Sequence, residues 1–285
     1  MKTLLFSTDF SENATHAIRY GYYLASEIKA NILLFNDVLV PTEATYSGLL
    51  GWPVDEFDII LKDSTKELIK LKTLLEKGGQ TTGFHPAVNY LNQSGILTDI
   101  INNIIADKKV DLVVIGTHGG GELSTLLLGN HSRNLIDGIS GPLLLIPPAA
   151  KLFQIKKIAF ASDFTDPEED IKSIALLTGL ANPLKAEILL KHIYEGEDQL
   201  PEFEKRINQF INDLAVKVSF SKIKYTLYKS NGAQSGLEWL CENGDIDILA
   251  MMHRSHTFID SLFRGSQTQK IAGQIPIPLL VFPCK

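Results

Sequence analysis

Apolar residues in this chain keep two rhythms. Leu4-Leu5-Phe6, Ile32-Leu33-Leu34-Phe35, Leu112-Val113-Val114-Ile115 and Leu143-Leu144-Leu145-Ile146 are short, nearly unbroken apolar runs. They predict strands buried on both faces, over Thr3–Thr8, Asn31–Asn36, Asp111–Ile115 and Pro142–Pro147, with a weaker strand at Ala87–Leu91. Between them the spacing turns helical. Ser11 is placed to cap a helix carrying Ala14, Ala17, Ile18, Tyr22, Leu24 and Ala25. A second helix, Glu56–Lys77, has Phe57, Ile60, Leu61, Leu68, Leu71, Leu74 and Leu75 on one face and stops at Gly78-Gly79. A third, Ser94–Lys108, turns Ile96, Ile100, Ile104 and Ile105 toward the core, and another follows Gly129. The stretch from Pro41 to Pro53 is too broken for either element.

Buried strands alternating with helices predict an α/β class: a doubly wound parallel sheet with helices on both faces. The pattern then begins again. Lys157–Thr165 repeats Thr3–Ser11 with Asp163-Phe164 over Asp9-Phe10; Glu187–Leu190 repeats Asn31–Leu34; Asp247–Met251 repeats Asp111–Ile115; and Ile277–Pro283 repeats Gly141–Pro147. Four matches in one order make the chain a tandem duplication, with domains expected at residues 1–148 and 155–285. The second copy is shorter in its middle, where it lacks a counterpart of the Pro41–Pro53 loop.

Composition narrows the partners. The formal charge of -6, with no Lys/Arg cluster, argues against nucleic acid. No apolar run is long enough for a membrane span, and the N-terminus meets a charge too early for a signal peptide, so a cytoplasmic location is expected. Two cysteines, Cys241 and Cys284, suit a reducing compartment.

The candidate chemistry lies after the Asp111–Ile115 strand. There Gly116-Thr117-His118-Gly119-Gly120-Gly121 is followed by Gly129-Asn130 and a helix. Glycines let backbone N–H groups approach an anion, and a helix start adds its positive end; a surface loop after a buried strand would read the same way. Both Asp9 and Gly116 directly follow strands, the position at which doubly wound sheets hold ligands.

The Ser-Thr-Asp-Phe-Ser end of the first strand, the Ile-Leu-Leu second strand and Gly116-x2-Gly119-x9-Gly129 before Pro-Leu-Leu-Leu-Ile-Pro together resemble the universal stress protein family, over nearly the whole chain and twice. The resemblance implies five-stranded parallel sheets of order 3-2-1-4-5, of the adenine nucleotide alpha hydrolase-like type. It also implies binding of an adenine nucleotide, ATP or AMP, with Mg²⁺ as the counter-ion of ATP, where the glycine motif is kept. By position Asp9 would contact the nucleoside end, and the main chain of Asn36-Asp37-Val38 would face the adenine. Gly116, Gly119 and Gly129 would form the phosphate loop, with Thr117 and His118 beside it. Asn130 stands where the family has Ser or Thr, an alteration that still caps a helix and donates a hydrogen bond. Family members commonly dimerise through the last strand, so an intramolecular pseudo-dimer is implied, with further dimerisation left open.

The second copy departs from this motif. Met252 stands at the Gly116 position and Ser255 at the Gly119 position, within Met251-Met252-His253-Arg254-Ser255-His256. A second domain that binds ATP weakly or not at all is expected. Because that copy folds with side chains at these places, the first is expected to keep its glycines for a ligand. His253 and His256 without a neighbouring carboxylate or cysteine make a poor metal site. Three functions remain in competition: a nucleotide-binding stress-response regulator; a slow ATPase or phosphotransferase, although no Gly-x4-Gly-Lys motif and no loop lysine support it; and a ligand-free scaffold.

Overall fold

The computed structural model describes residues 2–38, 54–78, 83–117, 130–194, 200–254 and 276–283. Contacts divide the chain into two compact units, which part between Leu143 and Leu144.

In the first half of the sequence the elements run β1 (Thr3–Ser7), α1 (Glu12–Ile28), β2 (Asn31–Asp37), α2 (Val54–Gly78), β3 (Val88–Gln93), α3 (Leu97–Lys108), β4 (Leu112–Gly116), α4 (Asn130–Gly138) and β5 (Leu143–Ile146), the last of which falls mostly beyond that division. The order across the sheet is β3-β2-β1-β4-β5. Pairing is parallel from β3 to β4, and Val113 N–H donates to the Pro142 carbonyl at 2.9 Å where β5 enters. Leu4, Leu5, Phe6, Ile32, Leu34, Phe35, Val113 and Val114 are buried, as expected for strands covered on both faces. Helix α1 lays Ala14, Ala17, Ile18, Gly21, Leu24, Ala25 and Ile28 against the sheet at the spacing of one helical face. Ser11 caps it as expected, accepting from Ala14 N–H at 3.2 Å.

The second half repeats this as β6 (Lys157–Ala161), α5 (Pro167–Leu184), β7 (Glu187–Tyr194), α6 (Leu200–Lys217), β8 (Ile223–Lys229), α7 (Ala233–Asn243), β9 (Ile248–His253) and β10 (Leu279–Pro283). Its order, β8-β7-β6-β9-β10, is the first order again, and every pair is parallel. The duplication extends to single bonds. Asp111 Oδ2 accepts from Thr3 N–H and Asp247 Oδ2 from Lys157 N–H, each at 2.8 Å. Leu249 N–H donates to Pro278 as Val113 does to Pro142. Phe10 and Phe164 both adopt the left-handed conformation, with φ of 63° and 54°.

Two helix faces differ from the sequence reading. Helix α3 starts at Leu97, so Ile96 is 70% exposed and the fully buried residue is Ile101. On α2 the inward residues are Ser64, Leu68 and Leu75, while Ile60 and Leu74 are exposed. Among the described residues no helix is long and apolar enough to cross a membrane.

Candidate functional site

The winding of the first sheet reverses between β1 and β4, and in doubly wound sheets ligands sit beyond the strand ends at such a point. The β1–α1 turn there is held from beneath. Thr8 N–H donates to the Phe35 carbonyl at 2.9 Å, and Thr8 Oγ1 accepts from Phe10 N–H at 3.0 Å. Ser11 N–H donates to Asp9 Oδ1 at 3.0 Å. A phenylalanine at positive φ costs on the order of 1 kcal/mol or more, and these bonds hold it there. The result is a fixed turn with Asp9 exposed at its tip.

The end of β2 is fastened to that turn by a side chain. Parallel pairing of β1 with β2 stops at Ser7 and Phe35. One residue on, Asn36 Nδ2 donates to the Thr8 carbonyl at 2.7 Å, and Asn36 Oδ1 accepts from Ser64 Oγ of α2, also at 2.7 Å. Thr8, Asn36 and Ser64 are all buried. The Asn36 side chain is therefore occupied within the fold, and its main chain lies in the β2–β3 pairing opposite Asn92. Along β2, Asn31 bonds toward β1 through Lys2, while Ile32 and Val38 donate to β3 at Ala87 and Gln93. By this alternation Val38 N–H is taken by the sheet, and the main chain of Asp37 is turned to the β1 side, past the end of β1.

At the end of β4, a Cβ on Gly116 would lie 2.7 Å from the Asn13 carbonyl oxygen and 3.1 Å from Ala14 N. Both are backbone atoms of the first turn of α1, so glycine is required here by helix packing. This corrects the expectation that the first copy keeps Gly116 for a ligand alone. Thr117 is completely buried, so its hydroxyl is turned into the protein. Asn130 is the first residue of α4. His118, Gly119 and Gly129 lie outside the described residues.

In the second unit the same place is filled. The helix faces align Ala14, Ala17, Ile18, Gly21, Leu24, Ala25 and Ile28 with Asp170, Ser173, Ile174, Leu177, Leu180, Ala181 and Leu184, which sets Asp170 at the position of Ala14. Met252 replaces Gly116. Arg254 reaches between the strand ends: it donates to Asp170 Oδ1 at 2.7 Å, to Thr165 Oγ1 at 3.0 Å, to the Asp166 carbonyl at 3.2 Å and to Asp163 Oδ1. Asp163, the counterpart of Asp9, is thus bound to a guanidinium. Burial acts to raise its carboxyl, but the Thr165 and Arg254 donors hold it below its ordinary value. Asp170 also accepts from Ser162 Oγ, yet burial dominates and pushes it up to about 6.

His192 takes the part of Asn36, its Nδ1–H bonding the Ser162 carbonyl at 2.8 Å. Its ring packs 5.6 Å from the Phe164 ring. Burial lowers its pKa below the ordinary histidine value, against the Ser162 bond and Asp163, which raise it. Among the described residues no group of three or more His, Cys, Asp or Glu could hold a metal; Ser255 and His256 lie outside them.

Sequence reasoning singled out Asp9, Asn36, Asp37 and Gly116 but missed Thr8, Ser64 and Asp170. The one available signal was a polar residue ending the second apolar strand in both copies, Asn36 and His192.

These features define a class: a duplicated doubly wound α/β protein whose winding reverses between the first and fourth strands of each copy, with the strand ends there built differently in the two copies. The sequence profile of the universal stress protein family matches residues 1–147, and the chain belongs to that family. It is 30% identical over 155 residues to the universal stress protein MJ0577 of Methanocaldococcus jannaschii, covering 51% of this chain and 94% of that one. It is 26% identical over 299 residues to the universal stress protein Slr1230 of Synechocystis, covering 99% and 100%. A crystal structure of a universal stress protein from Archaeoglobus fulgidus shares the fold with a TM-score of 0.71 at 14% identity, over 99% of this chain and 98% of that one.

Proposed function

We propose that the first repeat, residues 1–148, binds an adenine nucleotide, ATP or AMP, beyond the carboxyl ends of β1 and β4. In this reading the second repeat, residues 155–285, is structural or partner-binding. The observation that carries it is the contrast between equivalent places in the two repeats. The first has Ala14 and Gly116 where the second has Asp170, held by Arg254 at 2.7 Å, and Met252. In the second repeat Arg254 also takes up Asp163, the counterpart of Asp9.

The residues present fit the nucleoside end of such a ligand: an exposed carboxylate on a bonded turn, facing a strand end whose main chain can read a base. His118, Gly119, Gly129 and Asn130 would hold the phosphates, with Mg²⁺ as the counter-ion of ATP, as the family resemblance implies. Bound nucleotide would neutralise no carboxylate in the second repeat, so it acts on one half of a duplicated fold. Ligand at about 100 times its dissociation constant would stabilise the first repeat by about 2.7 kcal/mol, which is large against the stability of a domain.

The test is a calorimetric titration of the full chain with ATP and AMP, alongside the Asp9→Ala and Asp163→Ala variants. One nucleotide per chain is expected, weakened at least tenfold by D9A and unchanged by D163A. Two sites of equal affinity, or binding indifferent to D9A, would overturn the reading.

A further inference from the structure

We propose that the β3 edge of the first sheet pairs with the same edge of a second copy of this chain, making a dimer in solution. Among the described strands β3 is paired on one side only, by β2. Ile32 and Val38 of β2 donate to the carbonyls of Ala87 and Gln93, and successive residues of a strand turn their main chain to opposite sides. The odd-numbered residues of β3 therefore bond to β2, while Val88, Tyr90 and Asn92 turn their N–H and C=O groups outward. Val88 is buried, whereas Tyr90 is 39% exposed and Asn92 partly so. The open stretch is thus Tyr90 to Asn92.

This edge lacks the devices that keep exposed strands apart. Val-Asn-Tyr-Leu-Asn-Gln carries no charge and no proline, and its register with β2 runs from Val88 to Gln93 without a bulge. The equivalent edge of the second sheet, β8, is guarded. Leu34 pairs with Tyr90 and Leu190 with Tyr225, so the two tyrosines correspond. Yet β8 carries Lys224 and Lys229 with Lys222 just before it, and Tyr225 packs toward Phe164, ring centroids 6.4 Å apart. In the first half of the sequence the exposed large apolar side chains gather at the β3 edge: Ile59, Ile60, Ile69, Leu74, Tyr90 and Ile96 all stand on α2, on β3 or just before α3. Helix α2 packs on β3, where Asn92 Nδ2 donates to the Leu61 carbonyl at 3.1 Å and to Thr65 Oγ1 at 2.8 Å. Ile69 follows Thr65 by one helical turn, about the distance by which Tyr90 precedes Asn92, and this sets an apolar pair beside the open strand. The exposed charges of α2 pair among themselves, Lys66 with Asp63 and Lys70 with Glu67.

A second copy matches these groups without remainder. With the strands antiparallel and the two-fold axis at Leu91, Tyr90 N–H donates to the second copy's Asn92 carbonyl, and the Tyr90 carbonyl accepts from its Asn92 N–H. The axis repeats both bonds, so every outward donor of the two open stretches meets an acceptor. Leu91 then faces its own copy at the close antiparallel spacing, about 4.5 Å between Cα atoms. Two neutral strands bring no repulsion into this contact, whereas two copies of β8 would bring lysines together. One two-fold axis closes the assembly at two chains.

The experiment is sedimentation equilibrium of the full chain over a dilution series, with Tyr90→Lys, Tyr90→Pro and, as a control on β8, Thr226→Lys. Wild type is expected to sediment as a dimer of the 31.5 kDa chain. Y90K brings like charges to the edge, and Y90P removes an outward N–H that β2 does not use. Each should weaken association about tenfold or more with the circular dichroism spectrum unchanged, while T226K leaves association as it was. A wild-type chain that stays monomeric up to about 1 mM would overturn the proposal. So would a mass above two chains, a dimer that both Tyr90 variants leave intact, or equal weakening by T226K. Should the Tyr90 variants not fold, hydrogen exchange of the wild-type chain serves: the Tyr90 and Asn92 amides should exchange fast when dilute and slow as concentration rises, and exchange independent of concentration would overturn the pairing.

Discussion

Arg254 and Asp170 meet at 2.7 Å inside the second unit, with 13% and 1% of their side chains exposed. A pair this deep has left water on both sides, so its attraction is largely offset by desolvation, and removing one member leaves the other charge stranded. Arg254→Met should therefore destabilise the second unit by about 3–5 kcal/mol. The double variant Asp170→Leu with Arg254→Met should lie closer to wild type than R254M alone. Urea denaturation followed by circular dichroism reads both, and a harmless R254M would show that Arg254 does not hold this crevice shut.

The same carboxyl makes stability depend on pH. Its folded value of about 6 lies above the ordinary 3.8. The stabilisation from binding this proton is complete below about 4 and is lost as pH rises through 6. Acidifying from pH 7 to 5 should gain about 1 kcal/mol from this group. His192, whose folded pKa is lowered by burial, works the other way, losing stability as pH falls below its ordinary 6.5. Comparing wild type with Asp170→Asn cancels the histidine. The difference between their unfolding free energies should shift toward wild type between pH 7 and 5, and a flat difference would remove Asp170 as the cause.

The Cys241 thiol is buried, and burial with Glu242 and Glu238 nearby pushes its pKa up to about 12. Thiolate is the reactive form, so it should be inert in the native chain. Iodoacetamide at pH 8, followed by peptide mass mapping, should leave the Cys241 peptide unmodified until denaturant is added. Rapid native labelling of that peptide would contradict the packing of α7.

Strands were legible because burial on both faces leaves an unbroken apolar run, as in Ile32–Phe35. The duplication was legible because each run returned with its flanking acid, Asp9 then Asp163, and Asp111 then Asp247. Helix faces were read less well. Ile96 keeps the helical period but precedes the first turn, and a period does not say where a helix starts. The bonds that shape the crevice left no periodic trace at all. Ser64 of α2 finds Asn36 of β2, and Arg254 finds Asp170 across 84 residues. Such pairs are set by which strands become neighbours, a fact about topology that no local pattern encodes.

Gly116 and Met252 occupy one position of the duplicated fold with opposite requirements. In the first unit the α1 backbone comes so close that a Cβ would meet the Asn13 carbonyl oxygen at 2.7 Å. A backbone atom has no rotamer to escape into, so α1 or β4 must move. In the second unit Met252 is accommodated with Asp170 and Arg254 around it, the guanidinium lying 3.6 Å from its sulfur, so the replacement there is part of a set. Gly116→Ala alone should accordingly destabilise the first unit by about 1–3 kcal/mol, the range for overpacking. Because the displaced helix follows directly on the turn that carries Asp9, nucleotide affinity should fall with it. Urea denaturation together with amide hydrogen exchange at Thr15–Ile18 would check this. An unchanged midpoint with unchanged protection would mean that α1 does not lie as close to β4 as the Asn13 contact requires.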